Sequence, residues 1–150
     1  MASSWEQLES AIRGLSGPKD YGPLLQDVAR QVRDDTRERF LNEVDPDGNA
    51  WPELAESTKA KKAREGYPQA KLVEVGHLWM SLGSVEEITS DSLEWGTSDP
   101  KAVFHDSDEP RSLIPKRQIV GFDEKAMQKI EDETADFVEQ EVLRSLDGLT

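Results

Sequence analysis

The sequence contains no cysteine, which excludes disulfides, thiolate zinc sites, iron–sulfur clusters and cysteine nucleophiles together. Histidine is nearly as scarce, because His77 and His105 are the two in the chain. Neither lies in a His-Glu-x-x-His zinc motif, and no Gly-x-Ser-x-Gly motif supplies a serine nucleophile. We therefore expect no enzyme activity and no cofactor. A small hydrolase built on His105 and nearby acids is a weaker hypothesis.

Basic residues are also in short supply, since 18 Lys and Arg stand against 31 Asp and Glu, for a net charge of −13. Such an acidic surface repels phosphate backbones and anionic lipid, so a domain that reads DNA grooves is not expected. The longest stretch without an acidic residue, lysine or arginine is residues 75–85, well short of the roughly 20 apolar residues that cross a bilayer. Residues 1–5 lack the basic start and apolar core of a secretory signal. We expect residence in a cytoplasm and no membrane partner.

Hydrophobic residues make up 35% of the 150 residues, which is low for a self-sufficient globule. The length suits a single domain covering residues 1–150. Within it, the apolar residues from Trp5 to Leu15 recur at helical spacing and predict a short helix, so residues 1–22 form a peripheral helix and loop. The low apolar fraction predicts that association supplies part of the stability.

Two long amphipathic helices are predicted. The first follows Pro23 and must end before the Asp45-Pro46 pair, and the second is capped by Asp123. Residues 59–65 predict a short helix capped by Ser57 or Thr58, and residues 72–82 have helical spacing over two or three turns.

Extended segments are predicted in the second half of the chain. Residues 84–89 and 93–97 flank a Ser-Asp-Ser turn and predict a hairpin, and residues 102–105 and 118–120 predict two further short strands. Because helices and strands are segregated along the chain, the fold class is α+β. We expect a small antiparallel sheet packed against the two long amphipathic helices, with extra short helices.

The loop that begins at Asp45 and ends at Glu56 places oxygen donors at several positions of an EF-hand-like calcium loop. Ala50 stands where that loop needs glycine, and Pro52 removes a backbone donor. A tight Pro-Asp-Gly turn, in which Asp47 and Asn49 bond their own backbone, is the favoured interpretation. A calcium-binding interaction module is the alternative.

Basic residues cluster in two places despite the acidic average. The first cluster contains Lys59, Lys61, Lys62, Arg64 and Lys71. The second contains Arg111, Lys116 and Arg117. Each is either a solvated face or a partner-binding surface that meets the acidic stretches of a neighbouring molecule.

A set of residues spread over positions 25–145 resembles the phage virion morphogenesis family, the Mu-like tail completion proteins. In the first half the set consists of Arg39, Phe40, Glu43, Pro46, Asp47, Gly48, Trp51, Leu54, Thr58, Leu72, Gly76, Leu78, Ser81 and Leu82. In the second half it consists of Trp95, Gly96, Thr97, Ala102, His105 and the segment from Ile114 to Gly121. The chain departs from the family after His105, where a glycine is usual two or three residues on.

The resemblance implies a non-enzymatic structural protein of a tailed phage or prophage virion. It implies a homo-oligomeric ring at the head–tail junction or tail end, with a hexamer as the expected form, assembled in the host cytoplasm with other neck and tail proteins. DNA would pass through the lumen without specific binding, which suits an acidic chain.

The resemblance and the turn chemistry together assign roles to residues. Expected structural anchors are Pro46, Gly48, Trp51, Gly76, Pro115 and Gly121. Trp51 is expected to pack near Phe40 after the chain reverses. Arg117, at the arginine of the family-like Pro-x-Arg segment, is expected to hold that segment against an acidic group of its own fold or of a neighbouring subunit.

Overall fold

In a computed structural model of the chain, which describes residues 5, 6, 9, 19–108 and 114–148, the first long helix, α1, spans Gly22–Asn42. Pro23 lies in its first turn, where a missing N–H costs nothing. Its buried side consists of Leu24, Val28, Ala29, Val32, Thr36 and Phe40. The helix ends at Glu43, which adopts a left-handed conformation with φ 55°. The predicted helix is confirmed, whereas most of the predicted N-terminal helix lies outside the described residues.

A tight turn follows α1 and reverses the chain. The Asp45 carboxylate accepts hydrogen bonds from the backbone N–H of Asn49 at 2.8 Å and from its side-chain amide at 3.2 Å. Gly48 has φ 85°, a conformation that glycine adopts without strain, and Val44 and Ala50 then form an isolated antiparallel bridge. The turn was predicted, but the carboxylate that closes it belongs to Asp45 and not to Asp47.

Two short helices come next, α2 at Glu56–Glu65 and α3 at His77–Ser81. The predicted cap of α2 at Ser57 or Thr58 is wrong, because the helix already begins at Glu56, with Ala55 at the cap position and no side-chain cap bond. The helix predicted over residues 72–82 exists only in its second half. Leu72 and Gly76 have positive φ values of 57° and 81°, which prevent an earlier start.

The hairpin is confirmed as β1, Val85–Ile88, paired antiparallel with β2, Leu93–Gly96. The strand predicted at residues 102–105 is wrong, since Lys101–Asp106 forms a helix, α4, whose start is supported by Asp99 Oδ1 accepting the Lys101 N–H. The strand predicted at residues 118–120 is also wrong. Its backbone groups bond to side chains instead: the carbonyl of Gln118 accepts from Trp51, and the N–H of Ile119 donates to Asp106.

The last helix, α5, spans Glu124–Asp147 and is capped as predicted, with Asp123 Oδ1 accepting the Ala126 N–H. It runs antiparallel to α1. Gly121, just before α5, accepts a hydrogen bond from Arg39 near the end of α1, and Phe137 contacts Tyr21 just before α1 begins. Residues 138–147 therefore extend past the start of α1, by about 15 Å at the usual helical rise.

The buried apolar side chains form two clusters. The Trp51 cluster consists of Phe40, Trp51, Leu78, Leu82 and Ile119. The α1 cluster consists of Leu24, Val28 and Val32, against which Leu93, Trp95, Ile130 and Phe137 pack. The α1 cluster joins the hairpin to both long helices. The predicted α+β class is confirmed. None of the described helices combines the length and apolar content that a bilayer crossing requires.

Candidate partner-binding site

Trp51 lies in the core, with 3% of its surface exposed. Its ring meets that of Phe40 edge-on, with centroids 5.3 Å apart, and its Nε1 donates to the carbonyl of Gln118 at 2.9 Å. The indole therefore joins α1 to the segment that precedes α5. This is the position that the sequence predicted for Trp51.

Several expected anchors surround the turn that leads to Trp51. A Cβ on Gly121 would lie 2.7 Å from Cγ of Pro46, so this backbone approach requires glycine. The carbonyl of Gly121 also accepts a hydrogen bond from Arg39 Nη2 at 2.9 Å. Gly76 adopts its positive φ just before α3, whereas Pro115 is exposed.

Arg117 is buried, with 5% of its surface exposed. Its Nε donates to the carbonyl of Pro52 and its Nη2 to the carbonyl of Glu53, both at 2.9 Å, while its backbone N–H donates to the carbonyl of His105. The arginine holds its segment against its own fold through carbonyls, not through the carboxylate that was expected. Burial lowers the pKa of Arg117, and the charges of Glu43 and Glu53 oppose that shift.

Lys62, which was predicted to bind a partner, is also largely buried, with 7% of its surface exposed. Its Nζ donates to the carbonyls of Pro68, Ala70 and Val73 at 3.0, 2.6 and 2.5 Å. Three donors thus meet three acceptors. Burial lowers the pKa of Lys62, and the charges of Glu74 and Glu43 oppose that shift.

Lys71, a buried member of the first basic cluster, pairs with Glu43 and Glu53, two acids that were not predicted as site residues. Its Nζ lies 2.8 Å from Glu53 Oε1 and 3.2 Å from Glu43 Oε2, and Glu43 Oε1 accepts the Lys71 backbone N–H. The hydrogen bond to Glu53 raises the pKa of Lys71 and lowers that of Glu53. No helical or strand spacing links positions 43, 53 and 71, so periodicity offered no signal.

Of the other lysines in the first basic cluster, Lys59 is half-buried and Lys61 is exposed, and both are largely neutralised within the chain. Lys59 lies 3.0 Å from Glu56 and 3.8 Å from Glu53, and Lys61 lies within 4 Å of Glu65 and Glu74. Arg64 is exposed and lies 3.4 Å from its neighbour Glu65. This surface is therefore mixed in charge and not basic.

The second basic cluster is divided. Lys116 is exposed and pairs with Asp108, whose hydrogen bond raises the pKa of the lysine. Arg111 lies outside the described residues. The cluster therefore contributes one interior arginine and one surface lysine to the structure.

A pocket of about 420 Å³, which we call the Arg117 pocket, lies between α2, residues 72–78, α4 and residues 114–117. Its walls include the three cationic side chains of Lys62, Lys101 and Arg117, together with apolar ones such as Val75. His105 also lines the Arg117 pocket. Its burial lowers its pKa, and the positive charge of Arg117 lowers it further. An apolar cavity with a few converging polar groups is typical of binding sites.

The loop from Asp45 to Glu56 does not favour the calcium alternative. Asp45 bonds to Asn49, Glu53 pairs with Lys71 and Glu56 pairs with Lys59, so three carboxylates of the loop are engaged within the chain. Among residues 19–108 and 114–148, no group of three or more His, Asp or Glu is arranged to hold a metal ion.

Comparison with known proteins agrees with the resemblance noted from the sequence. The sequence model of the phage virion morphogenesis family matches residues 3–139 of the 150. Neither the curated proteins nor the solved structures gave a significant match. The family is one of virion components, which points to a structural and not a catalytic role. The chain belongs to the phage virion morphogenesis family.

Proposed function

We propose that this chain is a non-enzymatic ring subunit of a tailed phage virion, located at the head–tail junction or the tail end as a tail completion protein, terminator or neck connector. The supporting observation is the surface of α5. Ala126 is its one buried residue, while Met127, Val138, Leu143 and Leu146 are 44 to 47% exposed. An apolar helix face left open in a single subunit suits a protein that functions when assembled.

A ring requires two different surfaces on each subunit, because the same contact must repeat head to tail until it closes. The described chain offers apolar side chains on two elements far apart in sequence. One is α5, and the other is the group of Val75, Met80 and Val103 on and near α3 and α4. The net charge of −13 suits a lumen through which DNA moves without being held.

A stop codon early in this gene, in the phage or prophage that carries it, tests the function. We expect lysates with heads and tails that fail to join or with unfinished tail ends, seen by electron microscopy, and recovery of infectious particles when the full chain is supplied from a plasmid. Normal particles at normal yield from the stop-codon phage would contradict the proposal.

Mass photometry of the purified chain tests the ring directly. We expect a closed species of fixed subunit number that grows with protein concentration, with a hexamer as the first expectation. A monomer at every concentration and salt level, with or without other neck and tail proteins, would exclude ring formation by this chain.

A further inference from the structure

We propose that the Arg117 pocket of one subunit receives the exposed end of α5 of a second copy, with Glu139 as the charged contact and Leu143 and Leu146 as the apolar ones. The inference rests on the proposed ring function and specifies its contact. It makes the ring interface head to tail, because pocket and helix end are different surfaces of each chain.

The pocket wall carries three cationic side chains against two acidic ones, which leaves an excess of positive charge. Lys62 and Arg117 are bonded to backbone carbonyls, and Lys101 has no ion pair within the described part of the chain. Nη1 of Arg117 has no hydrogen-bond partner among the described residues. Glu53 and Glu74 are the acids in the wall, and each already lies within 4 Å of a lysine outside it, Lys71 and Lys61. An incoming carboxylate is therefore attracted in a partly desolvated site.

The end of α5 supplies the matching chemistry. Glu139, Val142, Leu143 and Leu146 follow i, i+3, i+4 and i+7 spacing, so they share one face of the helix. Glu139 is exposed and has no ion pair among the described residues, whereas Glu141 is paired with Arg144 at 2.5 Å. An apolar face with one free carboxylate is the kind of helix that docks into a groove.

Size and position also fit. The pocket volume of about 420 Å³ accommodates a few side chains and not a whole helix, so α5 would lie across the opening and insert side chains. Val75 and Ile114 are partly exposed there and offer apolar surface to Leu143 and Leu146. Because residues 138–147 extend past the start of α1, Glu139, Leu143 and Leu146 lie on a part of the helix that α1 does not cover.

The absence of cysteine permits a clean crosslinking test on the full chain. With Val75→Cys and Leu143→Cys in one chain, a short bismaleimide is expected to produce a ladder of covalent multimers. The matched control pairs Val75→Cys with Leu41→Cys, another exposed leucine, and is expected to remain monomeric on a denaturing gel. No ladder from the first pair, or an equal ladder from the control, would overturn the proposed contact.

Charge reversal provides a second test. Glu139→Lys or Lys101→Glu alone is expected to raise the concentration for half-assembly about tenfold, and the two together in one chain are expected to recover most of that loss. Both positions are exposed, so the variants should fold, which circular dichroism verifies. Glu38→Lys on α1 makes the same charge change elsewhere and should have little effect.

The outcomes distinguish this contact from ring formation itself. Rings in mass photometry with no crosslinking between positions 75 and 143 and no effect of charge reversal would refute the contact and leave the ring intact. A chain that is monomeric under all conditions would refute both.

Discussion

The Trp51 cluster and helix α5 bury their side chains to very different extents. Phe40, Trp51 and Ile119 are each 3% exposed and come from three distant parts of the chain. In α5, by contrast, Ala126 is the one buried residue of 24, and four large apolar side chains are about half exposed. The Trp51 cluster is closed to solvent, whereas α5 leaves large apolar side chains exposed.

The Trp51 cluster and α5 also differ in the partners of their side-chain hydrogen bonds. Around the Trp51 cluster, the polar ends of Trp51, Arg117, Lys62 and Arg39 donate to backbone carbonyls of other segments. Along α5, the hydroxyls of Thr134 and Ser145 donate to carbonyls one turn earlier in the same helix. The bonds around the Trp51 cluster therefore join distant parts of the chain, whereas those of Thr134 and Ser145 join neighbouring turns of one helix.

Trp51→Ala is expected to have the largest effect on stability. It removes a buried indole, its edge contact with Phe40 and its bond to the carbonyl of Gln118, so we expect a loss of about 3–5 kcal/mol in the free energy of unfolding. Urea denaturation followed by circular dichroism measures it. Trp5→Ala, at a tryptophan that is 77% exposed, is the matched control and should change little. Similar losses of unfolding free energy in the two variants would show that the buried tryptophan matters no more for stability than the exposed one.

Gly121→Ala is expected to rank second. The new Cβ would lie 2.7 Å from Cγ of Pro46, and the rigid proline ring cannot move aside as a flexible side chain does, so we expect a loss of about 1–3 kcal/mol. Gly96→Ala places the same methyl group where no atom lies within 4 Å. If both substitutions had equal effects on the thermal midpoint, the close approach to Pro46 would not matter for stability.

Local patterns predicted most of the secondary structure. The stripe of α1, the capping Asp123 of α5 and the alternation in the hairpin are each set by neighbours in sequence. The predictions of secondary structure failed where hydrogen bonds to distant parts of the chain decide the backbone conformation. Residues 118–120 use their backbone groups for Trp51 and Asp106, and no periodicity reports such partners.

The site was less predictable than the fold for the same reason. The sequence placed Lys62 in the same basic cluster as Lys59 and Lys61. In the structure, the Lys62 ammonium donates to three backbone carbonyls in the loop of residues 68–73. These three carbonyls come together only when the loop folds over α2. The position of Arg117 was better anticipated, because the resemblance marked it, although its partners proved to be carbonyls of Pro52 and Glu53.

A smaller, pH-dependent effect is expected at His105. Desolvation and Arg117 lower its pKa in the folded chain, so as the pH falls through the unfolded value of about 6.5 the unfolded chain takes up the proton first and stability is lost. His105→Gln should reduce the loss of stability between about pH 7.5 and about pH 5.5 in urea titrations. His77 is exposed, so His77→Gln is the control. If stability fell with pH to the same extent in both variants, His105 would not be the group responsible.

Leu143→Asp is expected to have the smallest effect on the isolated subunit. Leu143 is 47% exposed, so the change should alter the free energy of unfolding by no more than about 0.5 kcal/mol. The measurement requires a dilution at which mass photometry shows monomers, because assembly would add to the apparent stability. Leu78→Asp makes the same chemical change at a leucine that is 5% exposed and should unfold the chain. A loss at Leu143 approaching that of Trp51→Ala would mean that the end of α5 packs against its own subunit, and the difference between the two regions would disappear.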